Sequence, residues 1–346
     1  MSVDLSKLAV KRKITLQELN GRVVAIDAFN VLYQFLTIIR GPDGTPLMDK
    51  KGNVTSHLSG LLYRTIELVE NGIKPIYVFD GLPSTLKKKT IEARMKRRNE
   101  AMEAWQHAKE AGEMEDARKY AQQSTRINKY VIESSRQLLT YMGIPFVNAP
   151  GEGEAEACYM CRKGVAYAAA SQDYDTLLFG SPIVVRNLTI SGRRKLPGKN
   201  IYINIEPEMV NLEETLRELK LSQKQLIWIG ILLGTDFNDG IKGVGPKTAM
   251  KIVKEASSVS DIERYVKEKY KAEFDIDIRE VEDLFLNPEV SDNGLEDMEG
   301  RLNDSPDRQA IIDFMCKEHD FSVDRIEKFV DKLSGKRTSA KQQRLF

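Results

Sequence analysis

The sequence predicts an α/β fold in which a mostly parallel central sheet is flanked by helices. Five short runs rich in Val, Ile, Ala and Tyr have the character of buried strands, at residues 22–28, 74–79, 144–147, 165–171 and 183–187. Helical patterns lie between them, and the two clearest, at 56–72 and 130–143, each end at a glycine. Strands that alternate with helices favour parallel pairing, which brings the carboxyl ends of the strands to one edge of the sheet.

The composition is that of a globular protein without a membrane span. The chain has 346 residues, 41% of them hydrophobic and 30% charged, which is enough for one large domain or two. No run approaches the roughly 20 apolar residues of a membrane helix. The first residues lack the basic segment and apolar core of a secretory signal, so we expect an intracellular protein.

Seven acidic residues recur where an apolar run gives way to a loop or a helix start: Asp27, Asp80, Glu152, Glu154, Asp173, Asp175 and Asp236. Carboxylates gathered at one sheet edge repel each other unless a positive charge lies between them. Oxygen ligands without a neighbouring His or Cys favour a hard cation such as Mg²⁺ or Mn²⁺. A set this rich can hold two ions, the arrangement that clamps both oxygens of a phosphodiester during cleavage.

Each of these acids has a plainer interpretation, as a helix N-cap or a turn former. That interpretation is weakest for Asp27, Asp80 and Asp173, because each closely follows a strand that is predicted to be fully buried.

Local charge, rather than the net charge of +1, indicates a polyanionic partner. Residues 87–98 read KKKTIEARMKRR and carry seven cations against one Glu. Such a run is either a solvated helix face or a phosphate-binding one, and its position just after Asp80 favours the second. The surrounding segment, 84–128, is long, polar and charge-dense, which predicts helix standing away from the body.

A second nucleic-acid signal lies at residues 243–249, which read GVGPKTA and follow an apolar helix ending in QLIWIGILLG. A tight glycine turn, Pro246 at the first helical position and the small Ala249 are typical of a helix-hairpin-helix element, whose backbone N–H groups bind a DNA phosphate. The alternative is an ordinary connection between two helices.

Cys158 and Cys161 form a C-x-x-C motif that can indicate a redox pair or half of a zinc site. The motif lies within a predicted helix, lacks a second Cys pair, and follows an acidic run that raises thiol pKa values. Helix packing is therefore the preferred interpretation.

Near the C-terminus, residues 291–306 are acidic and turn-rich, and a helical segment at 308–333 precedes a basic tail.

Taken together, these blocks resemble the flap endonucleases, the structure-specific 5′ nucleases of replication and repair, and the archaeal members most. The match runs to about residue 335 and rests on the joint order of VVAIDAFNVLYQFL, TSHLSGLLYRT, YVFDGLP, GEGEAEA, SQDYDTLLFG, GTDFN, GVGPKTA and MCKEHDFS. The resemblance implies a PIN-like 5′ nuclease fold. It also implies a nuclease core (1–260) with a helical arch (84–130) and a helix-hairpin-helix element (228–256), a C-terminal helical region (261–335) packed on the core, and a flexible tail (336–346).

The resemblance assigns the seven acids to two Mg²⁺ ions, for which Mn²⁺ substitutes, and makes Asp173 a catalytic residue. It places Lys87 and Arg94 at the scissile phosphate and Tyr33 beside the base next to the cleaved bond. The grip on duplex DNA, often with a bound K⁺, is assigned to the hairpin residues Gly243, Gly245, Lys247 and Thr248.

Two features depart from the family pattern. Ser2 replaces a glycine that lies near the DNA in the family. The tail matches only the first part of a sliding-clamp peptide, through Gln342, Leu345 and Phe346, and lacks the aromatic pair.

The implied activity is 5′ flap endonuclease with 5′-3′ exonuclease action on branched DNA, by a monomer that binds the sliding clamp through its tail. It would lie in the cytoplasm or nucleoid of an archaeon, or in the nucleus of a eukaryote. The alternatives are a related 5′-3′ exonuclease or bubble-cutting repair nuclease, a PIN-type ribonuclease, and a non-catalytic scaffold that binds DNA junctions or the clamp.

Overall fold

The computed structural model describes residues 3–195 and 202–342. Its strands are β1 (Lys11–Lys13), β2 (Val23–Asp27), β3 (Lys74–Phe79), β4 (Phe146–Asn148), β5 (Ala168–Ala170), β6 (Ile183–Arg186), β7 (Gly192–Lys195), β8 (Tyr202–Ile205) and β9 (Glu208–Asn211). Its longer helices are α1 (Ala28–Ile38), α2 (Ser56–Glu70), α3 (Lys88–Glu110), α4 (Met114–Gln123), α5 (Lys129–Tyr141), α6 (Gly153–Arg162), α8 (Leu212–Leu219), α9 (Gln223–Leu233), α10 (Pro246–Glu255), α11 (Val259–Tyr270), α12 (Ile278–Leu286) and α15 (Val323–Gln342). Its short helices are α7 (Asp175–Leu178), α13 (Met298–Arg301), α14 (Arg308–Ile312), the 3₁₀ turns Leu16–Leu19 and Thr85–Lys87, and the π-helix Asp313–Glu318.

In the described ranges, seven strands form one mixed sheet in the order β1-β9-β6-β5-β2-β3-β4. The central strands pair in parallel, and this confirms the predicted mostly parallel sheet. β9 pairs antiparallel with both β6 and β1, and β7 pairs with β8 in a separate hairpin. Four of these strands, β1, β7, β8 and β9, were not predicted, because their short sequences KRK, GRRK, YINI and EMVN lack the continuous apolar run that marks a buried strand.

Helices cover both faces at the centre of the sheet, which explains why strands such as β2 and β3 are almost wholly apolar. Along β2, Ala25 faces one hydrophobic cluster while Val24 and Ile26 face the other. The first cluster includes buried residues of α6, α9 and α12, and the second includes buried residues of α1, α2, α5 and α15. Two covered faces remove the alternation of polar and apolar residues that marks a half-exposed strand.

The C-terminal helices pack on this core, with α12 against α9 and α15 against α2. The Phe285 ring lies 4.8 Å from that of Phe179 and 5.4 Å from that of Phe237. The helical segment predicted at 308–333 is interrupted, because α14 passes into a π-helix and Asp320 adopts a left-handed conformation with φ of 59°. Among the described helices, none combines the length and apolar character that a bilayer span requires.

The arch, predicted at residues 84–130, contains α3 and α4, which pack on each other. Their buried residues are four alanines: Ala101, Ala108, Ala117 and Ala121. The segment was predicted to stand away from the body, but the arch contacts the body at several points. Its second helix packs on α1, the indole N–H of Trp105 donates to the Asp43 carbonyl over 3.3 Å, and Lys109 lies 3.2 Å from the Asp43 carboxylate.

A buried histidine makes the fold sensitive to acid. His57 lies on α2 with no exposed surface, its Nε2 is 2.7 Å from the Ser134 hydroxyl, and its Nδ1 has no hydrogen-bond partner among the described residues. Burial, helped by the charge of His319, lowers the pKa of His57 from 6.5 to about 3. Between about pH 6.5 and 3, His57 therefore stays neutral in the folded protein, whereas the same imidazole binds a proton in the unfolded chain.

We expect the free energy of unfolding to fall as the pH drops from about 6.5 towards 3, with a loss of about 2 to 3 kcal/mol by pH 4.5 from His57 alone. His57→Gln removes this titration, so the pH dependence of chemically induced unfolding should become shallower over that window. His107→Gln, at an exposed position on α3, is the matched control and should leave the slope unchanged. Equal slopes for His57→Gln and the parent protein would contradict the assignment.

Candidate active site

A cavity of about 930 Å³ lies between the carboxyl ends of the central strands and the arch. Six of the seven predicted acids line it: Asp27, Asp80, Glu152, Glu154, Asp173 and Asp236. Asp175 is not among the lining residues, but it is buried and lies close enough to Asp236 and Asp173 for their charges to raise its pKa. The structure therefore gathers acids that the sequence separates by more than 200 positions.

Two adjacent parallel strands supply the first pair of carboxylates. Asp27 ends β2 and caps α1, where it accepts the Asn30 backbone N–H over 3.0 Å. Asp80 follows β3 and accepts the Gly153 N–H over 2.7 Å. A Cβ atom at Gly153 would lie 2.6 Å from the Asp80 carboxylate, so a larger residue would displace one of the two elements.

The alternating pairs of acids start two helices. Glu152 and Glu154 flank the first residue of α6, and Glu154 accepts the Ser171 hydroxyl over 2.5 Å. Asp173 lies in the turn after β5, where its own N–H donates to the Ser171 hydroxyl over 3.1 Å. Asp175 begins α7 and accepts the Val3 N–H over 3.0 Å.

The last acid comes from the loop between α9 and α10. Within that loop the Thr235 hydroxyl donates to the Asn238 side chain over 2.9 Å, and the Asn238 amide donates to the Ile231 carbonyl over 2.7 Å. These buried bonds fix the loop against the end of α9. Asp236 is thereby held at the cavity, far from the central strands in sequence but next to them in space.

The carboxylates destabilise each other's charged forms. Burial, and then the charge of Asp80, raises the pKa of Asp27 well above its usual value. Burial and Glu152 raise the pKa of Asp80 to about 6, and burial and Asp236 raise that of Asp175 to about 7. Burial and Asp173 raise the pKa of Glu154 as well. A bound cation would relieve this repulsion.

Two arch cations already neutralise one side of the cluster. Lys87 forms an ion pair with Glu152 and lies 3.6 Å from Asp236, while Arg94 pairs with Asp236. Burial acts to lower the pKa of Lys87, but Glu152 and Asp236 outweigh it and the pKa is raised. For Asp236 burial acts to raise the pKa, and Lys87 and Arg94 bring it below its usual value.

The donors fit hard divalent cations, although they do not form a finished coordination shell. Among the described residues, no group of three or more His, Cys, Asp or Glu side chains is already arranged around one metal position. The fit rests on the type of donor, because every one of the seven acids offers carboxylate oxygens, and their mutual repulsion favours a bound cation. Within the described chain, one buried oxygen of Glu152 also has no hydrogen-bond partner, which leaves it available as a ligand.

Tyr33 lines the same cavity, with the Arg98 guanidinium 5.6 Å from its ring centroid. The hairpin residues predicted to bind duplex DNA do not line the cavity. Gly243 lies in the turn before α10, Gly245 is the N-cap of α10, and Lys247 and Thr248 lie in its first turn. Gly243 has a φ of 87°, a conformation that favours glycine. Ser2, Leu345 and Phe346 lie outside the described residues. Gln342 ends α15, and the structure describes its backbone but not its side chain.

Sequence reasoning missed several residues of the cavity. Arg97 and Arg98 belong to the recognised basic run but were not singled out, and Tyr120 lies on α4 without any motif around it. Asn30 and Ser171 contact the acids directly. Asn30 could have been found from its spacing, since the third residue after a helix cap donates its N–H to the capping side chain.

The cysteines do not form a second site in the described structure. Cys158 and Cys161 are buried on α6, and the Cys158 thiol lies 3.4 Å from the Thr176 carbonyl. Burial raises the pKa of both thiols, that of Cys161 to about 12. A thiol with so high a pKa is a poor nucleophile and metal ligand, in agreement with the packing interpretation.

Comparison with known proteins identifies the family. The XPG N-terminal domain model matches residues 4–101, and the XPG I-region model matches residues 143–236. The chain is 51% identical to flap endonuclease 1 of Pyrococcus furiosus over 346 residues, covering all of this chain and 98% of the relative. It is 49% identical to flap endonuclease 1 of Archaeoglobus fulgidus over 348 residues, covering all of both chains.

Solved structures agree with these matches. The flap endonuclease-1 of Methanococcus jannaschii superposes with a TM-score of 0.74 at 39% identity, covering 98% of this chain and 99% of that one. The catalytic core of Rad2 in complex with DNA substrate has a TM-score of 0.68 at 23% identity, over 96% of this chain and all of that one, and shows the shared fold. With the carboxylate cavity, the arch and these full-length matches, the chain belongs to the archaeal branch of the flap endonuclease 1 family.

Proposed function

We propose that the protein hydrolyses a phosphodiester of branched DNA at the junction between a 5′ flap and duplex, and leaves a nick. The observation that carries this proposal is one cavity in which six carboxylates face the basic residues of the arch. Acidic residues alone would repel a DNA backbone, and basic residues alone would bind it without cutting. Their juxtaposition favours a site that holds cations and a phosphate together.

Two divalent cations, Mg²⁺ or in its place Mn²⁺, would be held by the seven acids. When bound, such ions supply Lewis acidity that promotes attack by water and offsets the charge that grows on the phosphate. Lys87 and Arg94 would exchange their carboxylate partners for the phosphate oxygens and stabilise the same charge. The acids would keep their positions, because backbone N–H and hydroxyl groups hold Asp27, Asp80 and Glu154 and the Asn30 amide holds Asp173.

Other parts of the chain would orient the DNA. Tyr33 presents an aromatic face in the cavity, on which an unpaired base would stack. Outside the cavity, the N-terminus of α10 would bind a phosphate of the duplex through its backbone N–H groups, with K⁺ as an additional ligand. Exonuclease action, the monomeric state and clamp binding through Gln342, Leu345 and Phe346 remain predictions.

A panel of end-labelled substrates tests the proposal. We expect rapid cutting of a 5′ flap in Mg²⁺ or Mn²⁺, with one product whose length equals the flap to within about a nucleotide, and none in EDTA. A 3′ flap, a bubble, blunt duplex and single-stranded RNA of equal length should each react at least about a hundredfold more slowly, which corresponds to nearly 3 kcal/mol of discrimination. Preference for the bubble or the RNA would favour the rival nucleases, and tight binding without cutting would favour a scaffold.

A further inference from the structure

Asn30 contacts two carboxylates of the site at once. Its backbone N–H donates to Asp27 Oδ1 over 3.0 Å, and its side-chain Nδ2 donates to Asp173 Oδ2 over 3.1 Å. The two acids lie at the carboxyl ends of neighbouring parallel strands, since Asp27 ends β2 and Asp173 follows β5, and the charge of Asp173 raises the pKa of Asp27. Asn30 therefore places two N–H dipoles between groups that repel each other.

Hydrogen bonds from Gln34 and Thr189 fix the orientation of the Asn30 side-chain amide. Gln34, one turn further along α1, donates from Nε2 to Asn30 Oδ1 over 2.6 Å. The Thr189 hydroxyl in turn donates to Gln34 Oε1 over 3.1 Å. Because each amide oxygen is engaged as an acceptor, each NH₂ group must face the other way, and the last of them faces Asp173.

A neutral donor suits this position better than a cation. Lys87 and Arg94 neutralise the acids they contact, and a third cation at Asn30 would further weaken the attraction of the cluster for metal ions. An amide orients the carboxylate but leaves its full charge. Donors of this kind, which hold a ligand without touching the metal, commonly change metal affinity or activity by about 10- to 100-fold when they are removed.

We propose that the Asn30 side chain is a positioning group for Asp173, while the Asn30 backbone N–H holds Asp27, and that Gln34 and Thr189 act through the Asn30 side chain. The relay Thr189–Gln34–Asn30–Asp173 connects the loop after β6 to the cluster of acids. The inference deepens the proposed nuclease function and rests on it for the cleavage readout. Its second readout, the affinity of the DNA-free protein for Mn²⁺, does not require cleavage.

The test uses Asn30→Leu, Gln34→Leu and the double variant. Asn30→Leu keeps much of the side-chain volume and removes both side-chain hydrogen bonds, so kcat on a 5′ flap should fall about 10- to 100-fold while KM for DNA stays within about twofold. The Mn²⁺ affinity, measured by electron paramagnetic resonance, should fall by a similar factor. Gln34→Leu should have a smaller effect, and the double variant should be no worse than Asn30→Leu, since both act on one relay.

Raising the Mn²⁺ concentration should restore part of the Asn30→Leu rate, as expected where a ligand is displaced and not deleted. The proposal is overturned if KM rises with kcat unchanged, which would make Asn30 a DNA contact, or if the Gln34 and Asn30 effects simply multiply. Circular dichroism checks folding, and Gln34→Leu alone still tests the relay if Asn30→Leu does not fold. Should the parent protein fail to cut flaps, the proposed function fails, while unequal Mn²⁺ affinities would still support the positioning role.

Discussion

Asp173→Asn is expected to lower kcat on a 5′ flap by at least about a thousandfold, or roughly 4 kcal/mol of transition-state stabilisation. The substitution keeps the shape of the side chain but removes the charge of an acid at the centre of the cluster. Asp173 is close enough to Glu154, Asp27 and Asp175 to raise the pKa of each. Loss of one of these carboxylates removes a ligand that the proposed cations require.

The same substitution should make the protein more stable when no metal is present. Removing one of several repelling charges raises the free energy of unfolding, by about 1 kcal/mol at pH 8 in EDTA. Single-turnover cleavage and thermal unfolding measure the two effects. Glu133→Gln, an exposed acid on α5 outside the cavity, is the matched control and should change neither. Retained cleavage by Asp173→Asn would end the proposed role of this acid.

Lys87→Met should lower kcat by about 100- to 1,000-fold while changing the Kd for flap DNA by less than about threefold. The Lys87 side chain is only 16% exposed and already lies against Glu152 and Asp236, so it is placed to reach a phosphate at the acids rather than the surface of the duplex. Arg94 contacts the same Asp236, and removal of its charge should act in the same direction with a smaller effect, because its side chain is 40% exposed.

Lys87→Met should lower the stability of the metal-free protein, whereas Asp173→Asn should raise it. Without Lys87 the largely buried carboxylates of Glu152 and Asp236 lose a counter-charge, so the metal-free protein should unfold more easily, by on the order of 2 kcal/mol. Lys88→Met removes the same charge from an exposed neighbour on α3 and should preserve both kcat and stability. Equal losses of DNA affinity and kcat in Lys87→Met would instead indicate simple electrostatic docking.

The central sheet and the acids could be predicted from the sequence for one physical reason. Buried parallel strands such as VVAI and YVF leave a continuous apolar signal, and the residues that follow them must meet at one edge. The pattern of strands therefore suffices to place Asp27, Asp80 and Asp173 near each other. Asp236 also follows an apolar run, but its position depends on how the α9–α10 loop folds, so the pattern of strands alone does not place it beside the others.

The remaining features depend on tertiary contacts that carry no periodic signal. β9 joins the sheet because its backbone pairs with β6 and β1, not because its sequence is strongly apolar. The relay from Thr189 to Asp173 joins residues that are far apart in the chain, and each of its members is a polar residue with many ordinary alternatives. The ion pairs of Lys87 could not be foreseen either, because a basic run does not reveal which of its members turn inward.

The alanines of the arch have a consequence for its local stability. The four buried methyl groups of α3 and α4 contribute on the order of 3 kcal/mol to the packing of the arch, far less than the aromatic and branched side chains contribute within the body. Amide hydrogens in the arch should therefore exchange with solvent through local opening, while those of β2 and β3 should exchange only when the whole domain unfolds. Asp27 and Asp80 would thus be held by strands that open only on global unfolding, whereas the arch that covers the passage to them would open locally.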